Sequence, residues 1–268
     1  MITADFAISR FRRDLTLTAA VKGLLVGGAL ACVFFLKGVD HAFVITAFLA
    51  VWLTLSFKSA QGSRLVADSP TLISLGRFDE AEASLDQAFR TFSMFRTVKL
   101  LSLHHLATLR YKQKQWGESA KLCRALLKQR LGGLANLTKP SQLMLADALL
   151  QMGDLRGAYE SIRGLYNHRL SLAEAMQLMV LQLDYETRIA AWSSATAAIR
   201  QKVEMCELLP ARESARAQAM LALAAKNAGQ MEWSTWLVAR ARLLGDINDL
   251  VARQPILKEL FPDDLPAA

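Results

Sequence analysis

Few side chains in this sequence are placed for chemistry, and their spacing argues against catalysis. His104 and His105 form the only histidine cluster. Neighbours on a helix point about 100° apart, so the two cannot clamp one metal ion. His168 stands alone near a loop. Cys32, Cys123 and Cys206 have no CxxC or Cys/His spacing around them, which suits small buried apolar residues in a reducing compartment. Glu80, Glu82, Glu160, Glu204 and Glu207 read as solvated helix surface with no apolar pocket to raise a carboxyl pKa. Trp116, Trp192, Trp233 and Trp236 read as packing at helix junctions. The chain carries no phosphate-binding loop, HExxH or nucleophile elbow, so no reaction, cofactor or metal is expected.

The elements that hold these residues begin with an apolar block. The chain has 268 residues, 53% of them apolar, and between Leu15 and Phe57 the only ionisable residues besides the Cys32 thiol are Lys22, Lys37, Asp40 and His41. Residues 41–57 contain no Asp, Glu, Lys or Arg, and as a helix they reach ~25 Å, close to the hydrocarbon thickness of a bilayer. Residues 15–36 form a second span, with Lys22 near enough to its end to snorkel to the headgroups. No second buried charge pairs with Lys22 to suggest a transport path. Ala29-Leu30-Ala31-Cys32 departs from a lipoprotein cleavage box, because the apolar run continues through Leu36.

A linker over 37–40 is so short that 15–58 is expected to form an antiparallel transmembrane hairpin, with Gly23, Gly27, Gly28 and Ala31 as its close-packing face. Arg10, Arg12 and Arg13 precede it, Lys58 and Arg64 follow, and Lys37 alone lies between. That bias places both termini in the cytoplasm. Residues 1–14 form a basic N-terminal segment, expected to lie in the membrane interface.

Beyond the spans, apolar residues recur at three- and four-residue spacing, so the remainder is all-α. It is also self-similar. Gly76-Arg77-Phe78-Asp79-Glu80-Ala81 aligns with Lys114-Gln115-Trp116-Gly117-Glu118-Ser119, Gly153-Asp154-Leu155-Arg156-Gly157-Ala158, Ala190-Ala191-Trp192-Ser193-Ser194-Ala195 and Gly229-Gln230-Met231-Glu232-Trp233-Ser234. These begin 38, 39, 37 and 39 residues apart, the mark of a repeated supersecondary unit.

The chain here resembles the tetratricopeptide repeat family, in which helix pairs recur with a turn Gly, an aromatic after it and small residues where helices cross. Ala81, Ser119, Ala158, Ala195 and Ser234 take the small positions, with Ala88 and Ala241 at later crossings. Leu106-Ala107, Leu145-Ala146 and Leu221-Ala222 match the family's Leu-Gly pair. The period exceeds the family's of about 34 residues, Pro70 falls inside the first helix, and the fourth unit lacks the Leu-Gly pair. The resemblance implies an α-solenoid of about five helix pairs over 59–245. A capping helix and tail follow over 246–268, with Gly245-Asp246 as stop and N-cap and Pro255 as a kink. It also implies a partner groove on the first helices, falling on His104, Thr108, Tyr111, Lys112, Asp147, Gln151, Lys226 and Asn227.

The formal net charge of +8 is uneven. From Arg90 to Arg130 there are ten basic residues and one acid, Glu118. Lys114, Lys121, Arg124 and Lys128 are expected to form a stripe facing water, anionic lipid or an acidic protein. Nucleic acid is the least favoured partner, because no binding module is recognisable and no aromatic interleaves with the stripe. The layout resembles bacterial inner-membrane proteins with a cytoplasmic tetratricopeptide domain. It implies a membrane-tethered scaffold or assembly factor for a protein partner, or else an accessory subunit of a larger membrane complex.

Overall fold

The computed structural model describes residues 2–35, 41–93 and 95–262, and among these the regular structure is wholly helical. The chain forms two compact units, 1–148 and 149–268. Unit one contains α1 (Ala4–Phe35), α2 (His41–Ala67), α3 (Ser69–Ser74), α4 (Phe78–Arg90), α5 (Arg96–Lys112), α6 (Trp116–Leu127) and a 3-10 turn (Gly132–Leu137). Helix α7 (Thr138–Gln151) carries the chain into unit two.

Among the described residues, one stretch is long and apolar enough to cross a membrane, Ala4–Ala31 within α1. Its two halves have different surroundings. In the first, Ala4, Ala7, Phe11, Asp14 and Thr18 are buried, at alternating spacings of three and four that put them on one helix face. The basic N-terminal segment thus enters, at Ala4, a helix that packs on α4, α5 and α6. In the second half Leu24 is 74% exposed, with Val26 and Leu30 also exposed. Helix α2 exposes Ile45, Leu49, Val51, Trp52, Leu53 and Phe57, then becomes part of the unit at buried Ser59 and Val66. The two helices touch where a side chain on Gly28 would come 3.3 Å from the Phe48 ring, whereas Gly23 and Gly27 have nothing within 4 Å. The expected linker over 37–40 lies outside the described residues.

Pro70 does not kink a continuous helix. It occupies the first turn of α3 after a break at Asp68, because proline is tolerated only where its missing N–H would be unsatisfied anyway.

Unit two contains α8 (Leu155–Leu165), α9 (Leu172–Arg188), α10 (Trp192–Thr196), α11 (Ile199–Glu207), α12 (Ala211–Asn227), α13 (Met231–Leu244), α14 (Ile247–Arg253) and a 3-10 turn (Pro255–Leu260). Ser214 through Ala225 are all buried, as α12 packs against α9, α10, α11, α13 and the last 3-10 turn. A helix enclosed on every side needs small side chains, which explains Ala215, Ala217, Ala219, Ala222 and Ala224. Gly245 is extended rather than left-handed, and a Cβ there would lie 2.7 Å from that of Ala215. Close approach sets the glycine here. Asp246 caps α14 by accepting the Asn248 N–H, Pro255 opens the last 3-10 turn, and Leu250, Leu257, Leu260 and Phe261 are buried in the core.

Five turns share one conformation. Gly76, Lys114, Gly153, Ala190 and Gly229 have φ of 75, 60, 77, 55 and 77°. In each, the N–H of that residue reaches the carbonyl three back. The next N–H reaches the carbonyl five back, as in Arg77 to Leu72 (3.0 Å) and Ala191 to Glu186 (2.9 Å). These bonds satisfy the last carbonyls of the preceding helix. Five residues on, Ala81, Ser119, Ala158, Ala195 and Ser234 are all buried. In the fourth of these frames the following helix breaks in two at Ala197–Ala198, with Ala198 left-handed. Lys202 Nζ donates to the freed carbonyls of Ser194 and Ala195 (3.0 and 2.8 Å).

Candidate anchor and interaction faces

The first half of α1 is fastened to unit one by charges that composition alone assigns to solvent. Lys99 on α5 is 2% exposed. Its ammonium lies 2.8 Å from Asp14 Oδ2 and donates to the carbonyls of Ala88, Phe89 and Thr91 at 2.9, 3.1 and 2.7 Å. It therefore closes the C-terminal end of α4 and holds α1 at once. Burial lowers its pKa, with Asp14 opposing that shift. Arg110, fully buried, donates to both carboxylate oxygens of Glu82 (3.1 and 2.8 Å) and to the Ile2 carbonyl. Glu82 accepts the Ile2 N–H in turn (2.5 Å). The Arg110 hydrogen bond holds the Glu82 carboxyl below its ordinary pKa. Glu118 accepts the Ala4 N–H, and Thr18 Oγ1 donates to the Ser93 carbonyl (3.2 Å).

Glu82 is thus an anchor for the N-terminus rather than part of a solvated face. The alternation of Ala4, Ala7, Phe11, Asp14 and Thr18 was the signal for this docking, but an acid on such a face reads as surface. An open cleft of about 740 Å³ lies beside it, lined by Ile2, Phe6, Asp79, Glu82, Asp86 and Arg90 among others.

The groove residues expected on first helices are largely engaged within the protein. In unit one, His104 Nδ1 is 3.0 Å from Ser141 Oγ, Thr108 bonds its own helix at the His104 carbonyl, and Tyr111 donates to Asp147. The Tyr111 ring also meets Trp116 edge-on at 5.2 Å. The His104–Ser141 and Tyr111–Asp147 pairs join α5 to α7. Lys112 is exposed. In unit two Gln151 is half-buried, Lys226 Nζ donates to the Glu259 carbonyl (3.2 Å) and Asn227 to Leu223 of its own helix. Lys226 therefore fastens the closing segment.

His104 and His105 have ring centroids 5.9 Å apart and separate partners, Ser141 and the Val66 backbone. Burial pushes the His104 pKa down to about 4 and lowers that of His105. Burial also pushes the Cys123 and Cys206 thiols up to about 12, leaving them inert at neutral pH. Among the described residues no three His, Cys, Asp or Glu gather as a metal site requires.

Lys114, Lys121, Arg124 and Lys128 are all exposed, but they are not equivalent. Lys114 holds the left-handed turn before α6, and Lys128 caps the end of α6. Lys121 reaches Asp5 of α1 (3.0 Å) and Glu118 (3.6 Å). In unit two, Asp184 is fully buried and bonded by Arg188 (2.6 Å), Arg216 and Gln254, which ties the C-terminal segment to α9. Trp233 and Trp236 meet edge-on at 5.8 Å, with Arg240 over Trp236 at 5.0 Å.

No protein-family model, curated protein or solved structure matches the chain.

Proposed function

We propose that the protein is a membrane-tethered scaffold or assembly factor of tetratricopeptide-like build, holding a protein partner on the cytoplasmic side of a bacterial inner membrane. The observation that carries this reading is the division of α1. One helix is locked into unit one as far as Thr18 and then exposes Leu24, Val26 and Leu30 to its surroundings. Exposed apolar faces of this size belong in lipid or against a partner. With α2 it forms the proposed hairpin, and the excess of Arg and Lys on the outer flanks of the pair supports a cytoplasmic place for the helical units. The five identical turns on a period of 37–39 residues support the repeat reading, and buried Ala81 and Ala158 support its helix crossings. No reaction is assigned.

One observation favours a second reading, an accessory subunit of a larger membrane complex. Gly23 and Gly27 are four apart and face open space, a surface on which another transmembrane helix can pack closely.

The test is photo-crosslinking in cells, with the reactive residue replacing Lys112 or Lys226 and Arg156 as the control. Adducts to one protein from Lys112 or Lys226 but not from Arg156 support the scaffold. A complex of fixed stoichiometry that survives mild detergent favours the subunit. If none of the three positions captures protein, the scaffold reading is lost.

A further inference from the structure

We propose that the edge of unit one formed by Phe95, Arg96, Lys128 and Arg130 rests on anionic lipid headgroups of the bilayer that α1 enters. This rests on the reading of α1 as a membrane span. The geometry begins with the direction of α1. Its start meets Arg110 near the end of α5, Asp14 meets Lys99, and Thr18 meets Ser93 just before α5 begins. Helix α1 therefore runs antiparallel to α5 and leaves the unit at the N-terminal end of α5. One turn later Lys22 is exposed, and the exposed apolar residues follow at once. Helix α2 returns at the same level, passing from exposed Phe57 and Lys58 to buried Ser59.

The connection from α4 to α5 therefore faces the boundary between water and hydrocarbon. Helix α6 runs back beside α5 and brings its C-terminal end to the same place, where Arg96 Nη2 donates to Gln129 Oε1 (3.2 Å). Residues 91–97 and 127–137 contain Arg96, Lys128 and Arg130 and no Asp or Glu. All three are exposed, and Phe95 beside them is 44% exposed. Cations together with an aromatic suit the headgroup layer. Lys22 and Lys58 extend the same level onto the anchor. Lys114 does not belong to it: it stands at the opposite end of α6, ~18 Å away along the helix. The basic stripe thus runs up to the boundary from the aqueous side, and only its Lys128 end reaches lipid.

Each basic residue at an anionic surface shifts the docked population about fivefold, so losing three shifts it about a hundredfold. The full chain carrying Cys32→Ser and Thr97→Cys is labelled with an environment-sensitive fluorophore, since Thr97 is exposed at this edge and Cys123 and Cys206 are buried. It is then reconstituted in vesicles of zwitterionic lipid, with or without anionic lipid, containing a headgroup quencher. Flotation reports the anchor, and quenching reports the edge.

The expected result is flotation with both compositions and stronger quenching with anionic lipid. That gain should fall at high salt and in the Arg96→Glu/Lys128→Glu/Arg130→Glu variant. The comparison of lipids uses the native edge, so it holds whether or not the variant folds. Flotation with quenching independent of composition overturns the headgroup contact and leaves the edge to an acidic protein. Failure to float overturns the membrane span, and the headgroup contact with it.

Discussion

Replacing Asp14 by Leu tests the docking of α1 directly. The carboxylate and the Lys99 ammonium are 2.8 Å apart and nearly solvent-free, so their attraction is about 6 kcal/mol at an effective dielectric constant near 20. Most of that offsets desolvation in the wild type. In the variant the attraction is gone while Lys99 stays buried. Three carbonyls still accept from the ammonium, which puts the loss near 3 kcal/mol, the lower end for an orphaned buried charge.

The variant has one escape, which is to release the start of α1 and hydrate Lys99. That uncovers Ile2 and Phe11, each worth about 1.5–3 kcal/mol of burial, so it saves little. Either route should lower the melting temperature of the full chain in mild detergent by about 10 °C. Faster amide exchange over residues 8–18 identifies release. Because burial already lowers the Lys99 pKa, the unfolded chain binds the extra proton between that lowered value and the ordinary one. Stability therefore rises with pH in that alkaline window, more steeply in Asp14→Leu. A double-mutant cycle with Lys99→Met should give a coupling above about 1 kcal/mol. Unchanged melting and exchange in Asp14→Leu, or zero coupling, would refute the pairing.

Four further outcomes are expected. Lys114→Gly and Ala190→Gly should each stabilise by about 0.5–1 kcal/mol, since both hold left-handed turns without being glycine, whereas Gly153→Ala should destabilise by a similar amount; denaturant midpoints decide this. Ala158→Arg should cost about 3 kcal/mol or more by placing a charge at a fully buried crossing, while Arg156→Ala, on an open surface, should be near neutral; equal melting of the two would remove the crossing. The neutral buried imidazole of His104, with its pKa near 4, should make stability fall by up to about 3 kcal/mol as pH drops from 6.5 toward 4, where the unfolded chain takes up the proton first; His104→Gln should flatten that slope in pH-dependent melts. A cysteine at exposed Ser193 should resist a membrane-impermeant thiol reagent in sealed cells and react once membranes are opened; modification in sealed cells would reverse the topology.

Some of this molecule was readable from residue types because the relevant physics is local. The turn frame is an example: a left-handed residue, an apolar residue two later and a small residue five later lie within six positions, so they survive in the sequence even where Lys114 and Ala190 replace glycine. The break at Asp68 is marked only by Pro70, and the break at Ala197–Ala198 by no residue type in its neighbourhood. The partner groove is less legible for a different reason. Polar residues on a helix face are equally suited to a ligand and to the neighbouring helix, and here Tyr111 chooses Asp147 and His104 chooses Ser141.

What stayed hidden was the fate of the charges. Glu82 reads as surface, and nothing local sets Lys99 and Arg110 apart from the other charges of their basic stretch, because single-residue statistics place such residues in solvent and their pairing joins residues as far as 108 positions apart. That pairing has a consequence for the whole protein. The helix proposed to sit in lipid also neutralises the buried cation of unit one, so the anchor is not an appendage on an independent domain. Insertion of α1 and completion of the Asp14–Lys99 contact then share one rigid element, and a change that shifts α1 along its axis by a turn must break the contact that closes α4. Under the proposed membrane reading, coupling of this kind would set the height of unit one above the bilayer more tightly than a flexible tether, and would hold the Arg96 edge near the headgroups, where its charges then decide the docked population.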